Sequence, residues 1–296
     1  MIKSLPHFLI IGAPKCGTTA LHNYLSQHPE INMSPKEIHY FGKDLGYKVD
    51  RPTLEEYQSH FKNTGINGDG SVWYLYSDTI YQELKDLGIS PKIIVLLRNP
   101  VEVAYSLHSQ NLVDANESVT VFEEALSLEE SRKNGKNLPP NVDPPRTLYY
   151  RETADFFPRM QVLFQHIPSE NIFVGLQEHM QKDTAQFLKQ VEHFLNLNHF
   201  NGYTFNLVNE NRQIKNKKVH QLIKKPNSLN RMLFRTIIPF KKVRSWMVHG
   251  IYKKNVTTSK RPELSLQTKR VLQLYFKPSI QALNEIITPD ISHWID

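Results

Sequence analysis

The chain has 296 residues and a mass of 34.5 kDa, with 40% hydrophobic against 22% charged residues, enough to bury a full core, which excludes disorder as its main state. No stretch approaches the ~20 uncharged apolar residues of a membrane span, residues 1–11 are too soon followed by Gly12, Pro14 and Lys15 to read as a signal peptide, and one cysteine, Cys16, excludes an internal disulfide or a multi-thiolate zinc site; the expectation is a mature chain starting near Met1 in a reducing cytoplasm. The net charge of +7 conceals an asymmetry, because residues 211–270 hold 17 Lys and Arg against Glu263 alone, a local +16, while the rest of the chain carries −9.

In chain order, residues 7–11 (HFLII) form a short apolar run that ends in Gly12-Ala13-Pro14, the pattern of a buried strand entering a loop. Leu21, Tyr24 and Leu25 then recur at helical spacing over 18–27, with Thr18 or Thr19 available as the cap. Residues 92–97 (KIIVLL) predict a second buried strand, closed by Arg98-Asn99-Pro100 and followed by a helix over 101–111. A Glu-rich helix over 121–132 leads into a proline- and asparagine-rich loop at 134–145, and then into a helix over 147–166 that Pro158 kinks or restarts. A third strand, 171–175 (NIFVG), precedes a helix over 182–197 with a stripe of Phe187, Leu188, Val191, Phe194 and Leu195. Beyond 209 strands become scarce: 229–252 is a basic amphipathic stretch broken at Pro239, and 266–283 is a terminal helix. Short β-rich runs alternating with amphipathic helices predict an α/β fold with a parallel central sheet flanked by helices, one domain over 1–296 with a basic helical C-terminal region at about 211–270. A block this basic meets an anion, whether nucleotide, polysaccharide, nucleic acid or membrane surface, or else only solvent.

The sharpest chemical signal is Gly12-Ala13-Pro14-Lys15-Cys16-Gly17-Thr18-Thr19, placed between strand and helix. Backbone N–H groups of such a loop and of the first helical turn converge on one spot that the helix dipole also makes favourable for negative charge. The nucleoside-triphosphate loop G-x-x-x-x-G-K-[ST] shares the glycine spacing, but Thr18 stands where that motif has its Lys, and the charge sits three positions earlier at Lys15. Magnesium-dependent phosphotransferases end a neighbouring strand in a metal-holding Asp. Here 92–97 ends in Arg98, with Ser106 eight residues later, so a second anion site is expected beside the first and no metal.

Together these residues resemble the sulfotransferases that use 3'-phosphoadenosine 5'-phosphosulfate (PAPS). The family's first motif, Pro-Lys-x-Gly-Thr-Thr-x-Leu, is matched by Pro14, Lys15, Gly17, Thr18, Thr19 and Leu21, and its Arg-x-Pro segment with a Ser eight residues after the Arg by Arg98, Pro100 and Ser106. The segment Lys36-Glu37-Ile38-His39-Tyr40-Phe41 is similar to the Lys-Glu-Val-His-Phe-Phe stretch of the glycosaminoglycan branch. Further echoes are Gly70-Ser71 through Tyr74-Leu75, Glu178, Lys260-Arg261-Pro262 and Trp294, so that the similarity spans about 6–295. The resemblance implies a P-loop-like fold, PAPS as co-substrate with 3',5'-adenosine bisphosphate (PAP) as product, and no metal. It implies that Lys15, Cys16, Gly17, Thr18, Thr19 and Ala20 surround the 5'-phosphosulfate, that Arg98 and Ser106 hold the 3'-phosphate, and that Lys260 and Arg261 add nucleotide contacts. Catalytic roles fall to Lys15, which neutralises the leaving phosphate, and to Glu37 as general base with His39 as its partner or substitute; Cys16 is expected to be inert.

The implied partner is a hydroxyl or amine acceptor on a carbohydrate or small metabolite, not nucleic acid, with peripheral membrane contact through 229–252 left open. Carbohydrate-modifying Golgi relatives often carry a Lys in the segment matching Gly70-Ser71, an acidic residue where this chain has Gly42, and a C-terminal disulfide impossible here, which points to a soluble bacterial-type relative. The rival readings are an ATP-dependent kinase on a related loop and a non-enzymatic anionic-polymer or membrane-binding module driven by 211–270.

Overall fold

The computed structural model describes residues 4–48, 50–140, 142–205, 212–214, 236, 240, 247, 250–251, 255–258 and 261–295. The expectations for Lys260, for most of the basic region 211–270 and for most of 229–252 lie outside them.

Five parallel strands make the central sheet: β1 (Phe8–Gly12), β2 (Ile31–Met33), β3 (Ile66–Asp69), β4 (Lys92–Leu97) and β5 (Ile172–Leu176), in the order β2-β3-β1-β4-β5. Strand β1 is buried along its whole length and β4 from Ile93 onward. Both are near-continuous apolar runs, as a parallel strand with both faces covered requires. The chain leaves β1 towards one edge of the sheet and leaves β4 towards the other, so the crevice between their carboxyl ends is the topological switch point at which open α/β sheets place ligands.

The chain folds as two compact units, one formed by Met1–Ala104, Arg151–Asn209 and Leu266–Asp296 and the other by Tyr105–Tyr150 and Glu210–Ser265. The first holds the sheet and the helices α1 (Thr18–Leu25), α2 (Leu54–Gln58) and α3 (Ile80–Asp86), the start of α4 (Pro100–Val113), and the C-terminal helix Leu266–Ile286. That last helix buries Leu272, Phe276, Ile280 and Leu283 at helical spacing and packs on the helix Phe157–His166. The second unit holds most of α4, α5 (Phe122–Ser127), α6 (Glu129–Lys133) and an antiparallel pair, Arg212–Ile214 with Val256–Thr258. It contains a buried bidentate pair, Arg132 on Glu117 at 2.7 and 2.9 Å, with the Tyr150 hydroxyl donating to the same carboxylate at 2.7 Å.

Of three expected helices, one is divided, one restarts beside Pro158 as expected, and one begins two residues late. The helix over 121–132 divides into α5 and α6 at Leu128. The helix over 147–166 becomes α7 (Tyr150–Ala154) and α8 (Phe157–His166), with Pro158 in the first turn of α8, where its missing N–H costs nothing. The third, 182–197, is α10 (Thr184–Phe194), which starts where the Asp183 carboxylate caps it by accepting from the Gln186 amide at 2.9 Å, and a short helix the sequence did not suggest, α9 (Gln177–Lys182), precedes it.

Candidate active site

The loop between β1 and α1 turns through two left-handed residues, Lys15 at φ 67° and Gly17 at φ 89°. Gly17 is required twice over: the positive φ strains any L side chain, and a Cβ there would lie 2.8 Å from Met180 Cε on α9. The loop is fixed by backbone bonds, Ala13 N–H to the Leu96 carbonyl of β4 at 2.8 Å and Cys16 N–H to the Ala13 carbonyl at 3.3 Å. Helix α1 has no side-chain cap and no acidic residue in its first turn, and the amides of Gly17, Thr18 and Thr19 have no acceptor among the described residues. These are the orphan donors of a helix N-terminus, and they suit an anion. The Ala20 amide is engaged, donating to the Gly17 carbonyl at 3.0 Å. Cys16 is fully buried, and burial pushes its thiol far up against the lowering effect of the Arg98 and Lys15 charges, which agrees with an inert thiol.

Arg98 follows β4 as expected, and one guanidinium nitrogen, Nη1, donates to the Lys15 carbonyl at 3.5 Å. The other, Nη2, donates to Glu102 one helical turn on, at 3.2 Å. The pair is partly exposed and is worth at most about 1 kcal/mol, so an anion can compete for the guanidinium. Ser106 belongs to the second unit, where it is buried and accepts from Arg261 Nη2 at 3.1 Å. The Arg261 guanidinium lies 4.9 Å from the centre of the Tyr105 ring, and the Tyr105 hydroxyl donates to the Pro262 carbonyl at 2.9 Å, so two sequence-predicted residues 155 positions apart, Ser106 and Arg261, are brought into direct contact.

Glu37 and His39 lie on the strap of residues 37–41 beside the end of β3, both with left-handed backbones at φ 60° and 56°. Glu37 Oε1 pairs with the Lys36 ammonium at 2.7 Å, its Oε2 accepts from the Val72 amide at 3.3 Å, and His39 Nε2 stands 3.6 Å from that same oxygen. The His39 ring stacks on Tyr47 with centroids 4.1 Å apart. At Gly70 a Cβ would lie 2.8 Å from Cδ2 of His22, so the space next to the chain is taken by an imidazole that burial holds below its ordinary pKa, hence neutral. Sequence reasoning missed Asp69, the fully buried carboxylate that closes β3. A strand of four residues reading INGD gives no periodicity by which to find it. Glu178 on α9 accepts from the Trp294 indole N–H at 3.0 Å and pairs with His293, which ties residues 293–294 to the helix that backs Gly17.

No group of His, Cys, Asp and Glu arranged to hold a metal occurs among the described residues, and no described helix is long and apolar enough to cross a membrane.

Comparison with known proteins bears on this arrangement. The membrane-associated sulfotransferase kil1 of Dictyostelium discoideum is 35% identical over 105 residues, covering 34% of this chain and 22% of its own. Human carbohydrate sulfotransferase 15 is 30% identical over 182 residues, covering 44% and 32%. Human heparan sulfate glucosamine 3-O-sulfotransferase 5 is 23% identical over 198 residues, covering 67% and 55%, so the chain spans little more than half the length of these curated relatives at most. The crystal structure of a sulfotransferase from Alicyclobacillus acidocaldarius, 22% identical, superposes with a TM-score of 0.70 over 99% of this chain and 100% of that one, which shows the shared fold. The sulfotransferase domain family matches residues 5–284, nearly the whole length, and the chain belongs to that family.

Proposed function

We propose that the protein moves the sulfuryl group of PAPS to a hydroxyl or amine of a carbohydrate or small-metabolite acceptor, releasing PAP. The observation that carries this reading is the pairing, at the carboxyl ends of adjacent strands β1 and β4, of an uncapped left-handed loop bearing Lys15 with the Arg98 guanidinium that donates to it. The residues present fit the nucleotide: three amides without an acceptor among the described residues, two cations and no acidic residue in the first turn of α1. When bound, PAPS supplies an activated sulfuryl group attached to a phosphate that can leave as an anion. Lys15 and the amides of Gly17, Thr18 and Thr19 hold that phosphate and stabilise the charge it gathers. Arg98 is assigned to the 3'-phosphate, the role its motif implies.

Glu37 takes the acceptor proton on Oε2, with His39 Nε2, 3.6 Å away, as its partner or the substitute base. Carbohydrate acceptors are favoured by the activities for which two relatives are named, human carbohydrate sulfotransferase 15 and heparan sulfate glucosamine 3-O-sulfotransferase 5. Calorimetry with PAP, with and without magnesium, tests the nucleotide half: binding that is independent of magnesium is expected, and a requirement for magnesium would return the kinase reading. Transfer of radiolabelled sulfate from PAPS onto polysaccharide and metabolite pools tests the acceptor half.

A further inference from the structure

Asp69 ends β3 with its side chain wholly removed from solvent, yet it pairs with no cation among the described residues. It accepts from three hydroxyls instead: Ser71 Oγ to Oδ1 at 2.8 Å, and Tyr57 and Tyr74 Oη to Oδ2 at 2.9 and 3.1 Å. Two of these hydroxyls are used a second time. Ser71 Oγ accepts from the His39 amide at 3.3 Å, and Tyr74 Oη accepts from the Phe41 amide at 3.2 Å. A hydroxyl that spends its one proton on a carboxylate has only lone pairs left to offer, so Asp69 turns both rotors into acceptors at the points where the strap needs them. The third hydroxyl holds the same strap by its ring, for Tyr57 stacks on Tyr40 with centroids 4.2 Å apart and meets Phe41 edge-on. With the Glu37 amide donating to the Gly70 carbonyl at 3.3 Å, alternate amides at 37, 39 and 41 are all tied to the segment 69–74. Between these ties Glu37 and His39 keep left-handed backbones, which residues with a side chain hold only when their surroundings impose them.

We propose that Asp69 is a positioning residue which, through the Ser71 and Tyr74 hydroxyls, locks the 37–41 strap in the conformation that brings the Glu37 carboxylate and the His39 imidazole together. The proposal rests on the reading that this pair serves the acceptor, and its test separates the two ideas. Ser71→Ala removes the acceptor of the His39 amide alone, and Tyr74→Phe that of the Phe41 amide alone. Native-state amide exchange read by NMR should therefore quicken about tenfold or more at His39 in the first variant and at Phe41 in the second. Asp69→Asn, which must donate where an oxygen accepted, should quicken exchange at one of these amides or both and weaken the NOEs between the His39 ring and the Glu37 side chain. With desulfated heparin as probe acceptor, Asp69→Asn should lower kcat about tenfold or more, while the PAP dissociation constant measured by calorimetry stays within about twofold.

Unchanged exchange in all three variants overturns the relay whatever Glu37 proves to do. Faster exchange with kcat intact makes Asp69 a residue of the fold alone and also overturns it. If the wild-type protein does not use the probe polysaccharide, unchanged NOEs in Asp69→Asn overturn the proposal and weakened ones support it. The catalytic reading is judged apart, by Glu37→Gln and His39→Ala: full activity in both would end that reading while leaving the exchange result to stand.

Discussion

The Lys15 loop and the Glu37 strap use the same unusual backbone and are held by opposite means. Each carries two left-handed residues, Lys15 and Gly17 in the one, Glu37 and His39 in the other. The loop is pinned by main-chain bonds to β4 and within itself, and its conformation is eased by a glycine. The strap has no glycine between Glu37 and Phe41 and is pinned largely through side chains that lead to one buried carboxylate. A site held by main chain is encoded within a few consecutive residues and tolerates change around it. A site held by side chains depends on partners distant in sequence and fails with any one of them.

The sharpest way to break the comparison is Lys15→Ala, which removes the cation assigned to the leaving phosphate while keeping the main-chain bonds of Ala13 to Leu96 and of Cys16 to Ala13. Transition-state stabilisation should fall by about 2–4 kcal/mol, read as kcat/KM, with nucleotide affinity also reduced and the fold intact by circular dichroism. An unchanged kcat would remove Lys15 from the chemistry. Next in size is Glu37→Gln, which keeps the shape of the side chain and should leave PAP binding in place while kcat drops by roughly 10²-fold. Should His39→Ala be inactive while Glu37→Gln turns over normally, the base is the imidazole.

Arg98→Ala and Ser106→Ala probe a smaller term, selectivity. Each should weaken binding of PAP by about tenfold while leaving adenosine 5'-phosphosulfate, which lacks the 3'-phosphate, nearly unaffected. Equal losses for the two nucleotides would make both residues structural.

The mildest effect concerns pH. Burial pushes the Asp69 carboxyl up from 3.8 to about 6, overcoming the three hydroxyl bonds that favour its charge, with the Glu37 charge adding to the rise. A folded-state pKa above the unfolded one means that this group favours the fold below about pH 4 and that the benefit is lost as the pH rises through about 6. The melting temperature of wild type relative to Asp69→Asn should therefore fall by about 2–4 °C between pH 4.5 and pH 7.5. A constant difference would show that Asp69 does not titrate in that window.

The same contrast accounts for what could be read in advance. Strand β4 runs over Lys92–Leu97 as the sequence suggests, and β1 and β5 are each displaced by one residue, because long apolar runs leave little choice. β2 and β3 escape notice because three and four residues reading INM and INGD carry neither an apolar run nor a clean alternation. Lys15, Gly17 and Arg98 were legible as local motifs. Ser106 with Arg261 was legible as two motifs but not as a contact. Tyr74 was legible only as part of a motif echo, and Asp69 and Tyr57 were invisible, since what makes Asp69 matter is a set of hydroxyls arriving from a helix and a turn that no spacing rule joins to it.

The sheet order has a further meaning for how the protein is made. β1 is the first strand of the sheet to be synthesised but occupies its middle, where Phe8 must await Gly68 before one edge is paired and Lys92 before the other. Through that interval a wholly apolar strand is open to intermolecular pairing, and slow parallel closure lengthens the exposure. The residues whose loop we assign to the nucleotide and the residues most at risk on the ribosome are therefore neighbours in the chain. Substitutions between Phe8 and Thr19 will lower soluble yield as well as turnover, and only specific activity per folded molecule, titrated with PAP, distinguishes a damaged site from a lost nascent chain.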